Sequence, residues 1–484
     1  MKKNNFLDRH KFCLLLILIL LINVILRIPS LFDPVSYGDE CIYLTLGNAF
    51  NKGLVFYRDI HDNKPPLLYF IAALAGANLF WFRLVTIAWN TINVWLIYQL
   101  AKKIIKKEIA GLIAALLFAI FSLLPEGRIA NGEIYMIMPA TLGVLLGLTA
   151  WEKKKNIFWL LSGLMFSFAF LFKVPVAFDF VGFTLAMFAF SKKRFRDIFL
   201  VIKDKGFYLI LIGFLLPIFL TIIYYTQKGA FTPYVRSALL QNVGYLSSWG
   251  GSNLGLYQRT IILLLVTGLL CLWRRRLGFA FLLPALMTLF GLYGVFLSER
   301  PYPHYLIEIA PWLALLLAVL FSQKKAHQLI VSLLLISLII AGFVKFKFWW
   351  YPNIPYYQNF LKFAFGKINK EQYFKSFGDK VLYDYKISNY LKQNTKEKER
   401  VFIWGDGACI YALSYRLPPG RYMVNYHIFD FNGFEETIYA IKKRQPNVII
   451  KLIDEKREFP QLETTLKRYY APVKEIENAI IFRL

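Results

Sequence analysis

Residues 83–124 read RLVTIAWNTINVWLIYQLAKKIIKKEIAGLIAALLFAIFSLL, which is two apolar runs joined by a short basic link. A helix of roughly 17–20 apolar residues crosses a hydrocarbon core about 30 Å thick. Each run is long enough to do so. The stretch therefore predicts two membrane-spanning helices with a positively charged turn between them.

The same pattern recurs through the first 345 residues and predicts an α-helical polytopic membrane protein. Apolar residues make up 57% of the 484 residues, and aromatic residues 18%. Soluble domains are only about 45–50% apolar. We predict about eleven spans, in an architecture with a small C-terminal α/β domain. The spans lie at 12–28, 83–100, 109–124, 134–151, 157–172, 174–190, 207–224, 258–273, 278–297, 305–321 and 328–344.

Basic residues are sorted to one side of these spans. They fill alternate links, and the positive-inside rule places such links in the cytoplasm. The N-terminus is then cytoplasmic, and the C-terminal domain extracytoplasmic. This sorting, with contact to anionic membrane lipids, explains the net charge of +27 without a nucleic-acid partner. The basic links are Lys102, Lys103, Lys106, Lys107; Lys153, Lys154, Lys155; Lys192, Lys193, Arg194, Arg196; Arg274, Arg275, Arg276; and Lys324, Lys325.

The segment 65–81 is apolar enough to be a twelfth span. If it crossed the membrane, every later basic link would move to the outer face, against the positive-inside rule. We therefore predict an interfacial or re-entrant helix on the outer face. The twelfth span remains the alternative.

The C-terminal part of the chain has a different composition. It predicts an extracytoplasmic domain over 346–484, after a transmembrane catalytic domain over 1–345. Alternating helix-like and strand-like runs are typical of a small α/β layer domain. Helices are expected at 384–393, 408–416 and 434–444, and strands at 401–405, 421–425, 447–452 and near 473 and 480.

Four cysteines are spread over the chain: Cys13, Cys41, Cys271 and Cys409. None has a metal-type spacing such as C-x-x-C. We predict that they are unpaired small hydrophobic residues.

Polar residues in the outer links are the candidates for chemistry. The first outer loop, 29–82, contains SYGDECIY with Asp39 and Glu40 adjacent. It continues with FYRDIHDNKPP, which supplies Arg58, Asp62 and Lys64. A carboxylate at the headgroup plane can accept a proton from a hydroxyl, and a cation can neutralise a departing phosphate.

Later outer links add further charged residues. Glu133 stands where the chain re-enters the membrane, and acids at such positions are usually functional or paired. The link before the tenth span contributes Arg300 and His304. Simpler interpretations exist for these groups: a solvated turn or helix start for the Asp-Glu pair, and a snorkelling anchor for Lys64.

In this order the motifs resemble the membrane-embedded GT-C glycosyltransferases, in particular bacterial relatives of protein O-mannosyltransferases and lipid A aminoarabinose transferases (glycosyltransferase family 39 and relatives). The similarity covers about 1–345. It rests on Asp39-Glu40 in a long first loop, Lys64-Pro65-Pro66 before an interfacial helix, Arg83 opening the next span, Asn131-x-Glu133, and Arg300–Tyr305.

The resemblance implies transfer of a sugar from a polyprenyl-phosphate donor to a hydroxyl of a lipid, glycan or protein acceptor, with inversion. Asp39 is then the candidate base, and Glu40 orients it or the acceptor. Lys64, with Arg58 and Asp62 beside it, would contact the donor. Glu133, Arg300 and His304 are further substrate-binding candidates, which rest on less specific motifs.

The sugar, the acceptor and any metal stay open, since related enzymes differ over divalent cations. Ile42 stands where some aminoarabinose transferases carry Arg, which argues against a lipid A acceptor. A transporter or lipid flippase is the main alternative, but the spans are nearly free of the acids that such proteins use. An O-antigen ligase would place its long loop later in the chain.

Overall fold

The computed structural model describes residues 4–124, 126–191, 203–241, 253–323, 325–349 and 351–484. The basic links at 192–196 and at Lys324 therefore lie outside the described residues. Helices carry most of the chain. They are α1 Asn4–Ile25, α2 Gly38–Asn51, α3 Leu67–Leu74, α4 Leu79–Ile105, α5 Glu108–Phe121, α6 Gly132–Lys153, α7 Asn156–Phe172, α8 Val176–Ser191, α9 Lys205–Gln227, α10 Phe231–Tyr234, α11 Asn253–Leu277, α12 Phe279–Phe296, α13 Ala310–Gln323, α14 Ala326–Lys345, α15 Asn353–Ala364, α16 Lys370–Lys375 and α17 Asp379–Asn394.

The eleven predicted spans all fall on helices. Within the described residues, seven helices are long and apolar enough to cross a membrane. The other four predicted spans coincide with the shorter apolar helices α5, α7, α8 and α13. The prediction of a polytopic helical membrane protein is confirmed.

The helix expected within 65–81 is α3, which has only eight residues. At 1.5 Å per residue it is about 12 Å long, too short for a core about 30 Å thick. The twelfth-span alternative is therefore wrong.

The chain folds into two compact units. Unit 1 comprises residues 1–28, 85–223 and 240–351, and holds most of the apolar helices. Unit 2 comprises residues 29–84, 224–239 and 352–484, so it joins the first outer loop to the C-terminal residues. The division into a transmembrane catalytic domain over 1–345 and an extracytoplasmic domain over 346–484 stays a prediction.

Small residues set the helix packing in unit 1. An added Cβ at Gly163 of α7 would collide with the carbonyl oxygen of Ile210 in α9, and one at Gly213 would collide with that of Leu160. Helices in lipid approach closely where such residues meet. The outward faces are apolar, as Leu264 and Leu265 of α11 show with 65% and 68% exposure. Lipid is the natural solvent for such a surface.

The C-terminal part of unit 2 is an α/β layer. Its strands are β1 Val401–Trp404, β2 Val448–Leu452, β3 Ala471–Ile476 and β4 Ala479–Arg483. They lie in the order β1-β2-β4-β3, with β1 and β2 parallel and the other two pairs antiparallel. Phe402, Trp404 and Ile449 are buried against the covering helices. The helices of this layer are α18 Ala408–Ser414, α19 Asn425–Asp430, α20 Phe434–Arg444 and α21 Pro460–Tyr469.

Most of the predicted C-terminal elements are present, with one clear error. The expected strand at 421–425 is irregular and leads into α19. Tyr422, Met423 and Val424 are buried, so their β-prone side chains serve the core without joining the sheet.

Candidate functional site

Helix α2 presents the Asp-Glu pair of the first loop. Asp39 and Glu40 occupy its first turn, where the helix dipole stabilises negative charge. Their position at the start of a helix therefore accounts in part for the presence of two adjacent acids. The two side chains have different surroundings, however. The Asp39 side chain is 31% exposed, whereas that of Glu40 is 1% exposed.

Glu40 belongs to a buried ionic group that we call the Arg83 network (Asp33, Glu40 and Arg83). Arg83 donates two hydrogen bonds to Glu40, from Nε at 2.9 Å and from Nη2 at 2.5 Å. Its Nη1 lies 3.3 Å from Asp33 Oδ2. The hydroxyls of Tyr356 and Tyr373 donate to Asp33 at 3.0 and 2.6 Å. A bidentate pair with further hydrogen bonds is the arrangement that a buried ion pair requires.

Asp39 belongs to a second, more open group, the Lys64 cluster (Asp39, Tyr43, Asp62, Lys64 and Tyr69). Lys64 Nζ lies 3.4 Å from Asp39 Oδ2 and 3.8 Å from Asp62 Oδ2. The Tyr43 hydroxyl donates to Asp39 Oδ2 at 3.1 Å, and its ring lies under Lys64 Nζ. The Tyr69 hydroxyl donates to Asp62 at 2.7 Å. A partly exposed acid, a cation and a second acid thus meet at one place.

His427 of α19 supports this cluster from the C-terminal layer. Its Nε2 lies 3.5 Å from Asp62 Oδ1, and its side chain is 1% exposed. Burial lowers the pKa of His427 to about 4 despite the opposing charge of Asp62, so the ring is neutral at neutral pH. Burial also holds the pKa of the adjacent His61 well below its usual range. Sequence reasoning missed His427 because it lies far along the chain from Lys64, in the C-terminal domain.

Arg58 lies apart from these interactions. Its guanidinium donates to both carboxylate oxygens of Asp59 at 2.8 Å, and its Nη1 donates to the carbonyl oxygen of Lys228. The pKa of Asp59 is lowered: burial alone would raise it, but the hydrogen bonds from Arg58 and the Val55 backbone N–H, together with the positive charge of Arg58, outweigh that effect. This exposed pair makes Arg58 a weaker candidate for substrate binding than Lys64.

A disulfide joins Cys41 of α2 to Cys409 of α18. The prediction of unpaired cysteines is therefore wrong for these two, while Cys13 and Cys271 are free thiols. Cysteine spacing carried no signal for this pair because 368 positions separate the partners. The bridge ties the helix that carries Asp39 and Glu40 to the C-terminal layer within unit 2.

Unit 1 contains its own charged cluster. Lys173, at the end of α7, forms an ion pair with Glu133 in the first turn of α6 and lies 4.1 Å from the centre of the Tyr305 ring. His304 Nδ1 lies 2.7 Å from Glu126 Oε2, and its Nε2 lies 3.9 Å from Glu133 Oε1. The structure thus brings Glu133 and His304 together, and it adds Lys173, which was not among the predicted site residues.

Arg300 lies in the same link as His304 and is half-buried. Its backbone N–H donates to the Ser298 hydroxyl at 3.4 Å. Among the described residues, no three His, Cys, Asp or Glu side chains are grouped as ligands for a metal ion. The metal requirement therefore stays as open as the sequence left it.

Comparison with known proteins identifies the architecture. The structure superposes on ArnT from Cupriavidus metallidurans bound to undecaprenyl phosphate with a TM-score of 0.59 and 11% identity, covering 96% of this chain and 97% of that one. This chain has the GT-C fold. ArnT in the apo state gives a TM-score of 0.56 at 10% identity with the same coverage.

Sequence comparison agrees with this result over part of the chain. Residues 63–225 match the family described as Dolichyl-phosphate-mannose-protein mannosyltransferase. The matched stretch includes Lys64, Arg83, Glu133 and Lys173, but not Asp39 or His304. No curated protein matches the sequence significantly. The predicted resemblance to the GT-C glycosyltransferases is confirmed.

Proposed function

We propose that this protein is a glycosyltransferase that moves a sugar from a polyprenyl-phosphate donor to an acceptor hydroxyl. The observation that carries the proposal is the Lys64 cluster, where the partly exposed Asp39 carboxylate lies 3.4 Å from Lys64 Nζ. General-base catalysis needs a carboxylate that the acceptor can reach, and a departing phosphate needs a cation. The GT-C fold and the match to a structure bound to undecaprenyl phosphate support this substrate class.

Each group has a distinct role in this reaction. Asp39 takes the proton from the acceptor hydroxyl as its oxygen attacks the anomeric carbon. The bond from that carbon to the phosphate oxygen breaks, and the polyprenyl phosphate leaves with the electron pair. Attack opposite the leaving group inverts the anomeric configuration. Lys64 compensates the negative charge that develops on the phosphate.

The ion pair between Asp39 and Lys64 suggests how donor binding activates the base. A phosphate competes with Asp39 for Lys64, because it offers more acceptor oxygens and more charge. Once Lys64 turns to the phosphate, Asp39 loses a neighbouring cation and becomes a stronger base. Asp62, which Tyr69 and His427 hold in place, keeps Lys64 within reach during this exchange.

Glu40 has a positioning role in this scheme and does not itself react. Arg83 occupies both of its carboxylate oxygens, so it fixes the first turn of α2 and with it Asp39. Glu133, Arg300 and His304 remain candidates for substrate binding within unit 1. A divalent cation also remains a candidate cofactor.

The disulfide supports an extracytoplasmic location for the first loop and the C-terminal layer, because disulfides persist in oxidising compartments. This agrees with basic links in the cytoplasm. In a variant without Cys13 and Cys271, Lys467→Cys should react with an impermeant thiol reagent on intact cells, and Lys154→Cys should not. Both positions are exposed in the structure. Labelling of Lys154→Cys but not of Lys467→Cys would show that the protein has the opposite orientation.

The activity can be tested with purified protein and synthetic undecaprenyl-phosphate sugars that carry different hexoses and pentoses. We expect one donor to release undecaprenyl phosphate in the presence of a membrane acceptor fraction, and Asp39→Asn to slow that release by about 10²–10⁴. A flippase would instead move the intact lipid-linked sugar across a vesicle bilayer without cleavage. That outcome would overturn the proposal.

A further inference from the structure

Unit 1 buries two carboxyl groups that the proposed reaction does not use. Asp179 lies in the first turn of α8 and is fully buried, and Glu308 precedes α13 with 2% exposure. Trp312 Nε1 donates a hydrogen bond to Asp179 Oδ1 at 3.1 Å. The spans were expected to be nearly free of acids, and Asp179 is a buried exception inside an apolar helix.

Each of these acids keeps one oxygen without a hydrogen-bond partner among the described residues, Asp179 Oδ2 and Glu308 Oε1. Helix α12 makes room for them with glycine. A Cβ added at Gly291 would lie 3.0 Å from Asp179 Oδ1, and one at Gly294 would lie 3.0 Å from Glu308 Oε1. The two carboxyl groups therefore pack against the backbone of α12 at positions where any larger residue would displace them.

The surrounding charges do not neutralise the pair. The two acids lie side by side, because a Cβ added at Gly291 would lie 3.0 Å from Asp179 Oδ1 and 3.8 Å from Glu308 Cγ. Lys173 and Glu133 are the other charged groups close enough to act on Glu308. Lys173 is already paired with Glu133. These four groups would carry a net charge of about −2 if all were ionised at neutral pH. Uncompensated charge within apolar helices is energetically costly, which favours the protonated form of such acids.

We propose that Asp179 and Glu308 form a proton-binding site that holds at least one proton at neutral pH. The protonated carboxyl supplies the donor that the unpartnered oxygen of the other acid lacks. Two carboxyl groups that share a site cannot both ionise readily, so their protons leave in two separate steps. The ligand is the proton itself, taken from and returned to water.

Proton occupancy has a consequence for Lys173. When the pair is protonated, Glu308 is neutral and Lys173 stays with Glu133. Loss of the proton places a negative charge on Glu308, which then competes with Glu133 for the same ammonium. His304 and Tyr305 also border this region through Glu133 and Lys173. The pair therefore sets how firmly Lys173 is held.

Infrared spectroscopy of the full-length protein in detergent tests the site directly. At about pH 8, ordinary carboxyl groups are ionised, including Asp384, whose pKa burial raises to about 6. We expect the wild type to keep a C=O stretching band of protonated carboxylic acid, shifted in D₂O. Asp179→Asn and Glu308→Gln should each remove or shift it, while Asp59→Asn, which alters a half-buried acid with a lowered pKa, should leave it unchanged.

Three outcomes would overturn the proposal. The wild type could lack the band at this pH, which needs no variant to observe. The band could persist unshifted in both folded amide variants, which would assign the proton elsewhere. The band could also appear only when sodium is replaced by a large organic cation, which would make the pair a metal-ion site.

Discussion

The Arg83 network and the Lys64 cluster contain neighbouring residues of one helix, yet they have opposite character. In the Arg83 network, guanidinium and tyrosine hydroxyl groups engage the acids, and the side chains of Asp33, Glu40 and Arg83 are at most 3% exposed. In the Lys64 cluster, the Asp39 and Lys64 side chains are 31% and 18% exposed at a separation of 3.4 Å. The first arrangement favours a fixed structure, and the second leaves groups that a substrate can reach.

The largest effect should follow from breaking the Arg83 network. Arg83→Met leaves Asp33 and Glu40 buried without a cation, so we expect a loss of about 3–5 kcal/mol in the free energy of unfolding. Arg58→Met is the matched control, since it breaks an exposed pair with Asp59 worth about 0–1 kcal/mol. Denaturation in mixed micelles measures both. Equal losses would contradict the contrast between buried and exposed pairs.

The next effect concerns the cation of the Lys64 cluster. We expect Lys64→Ala to lower turnover by roughly 10²–10³, because the leaving phosphate loses its compensating charge. Lys64→Arg should recover part of the rate, since it keeps the charge but changes the geometry. Lys52→Ala serves as the control, because Lys52 pairs with Glu397 elsewhere in unit 2. Normal turnover by Lys64→Ala would show that Lys64 serves only as a membrane anchor.

The smallest effect concerns His427 and pH. Its pKa is about 4 in the folded protein and near 6.5 when unfolded. The unfolded chain therefore binds the proton first, and stability falls as pH falls below 6.5. Between pH 6.5 and 5 the loss from this group is about 2 kcal/mol.

His427→Gln should flatten this part of the stability curve. Burial raises the pKa of Asp384 to about 6, so this group contributes stability that is lost as pH rises. Its contribution therefore has the opposite pH dependence to that of His427. The difference between the wild type and His427→Gln isolates the histidine. Identical slopes would show that the ring is not buried in neutral form.

Apolar run length determined most of what the sequence could predict. The spans and α20, expected at 434–444 and observed at Phe434–Arg444, follow from local patterns that need no knowledge of the fold. The disulfide, the support of Asp62 by His427 and the burial of Glu40 depend on contacts between distant segments. Neither spacing nor composition carries that information. The false strand at 421–425 has the same origin, because packing overrode β propensity there.

Asp39 and Glu40 divide their roles: in our proposal Asp39 does chemistry and Glu40 holds structure. Measuring turnover and thermal stability together for Asp39→Asn and Glu40→Gln tests this central claim most directly. We expect Asp39→Asn to lower turnover by about 10²–10⁴ without changing the thermal midpoint, whereas Glu40→Gln lowers the midpoint and costs less turnover per folded molecule. Normal turnover by Asp39→Asn, together with inactive but stable Glu40→Gln, would contradict it.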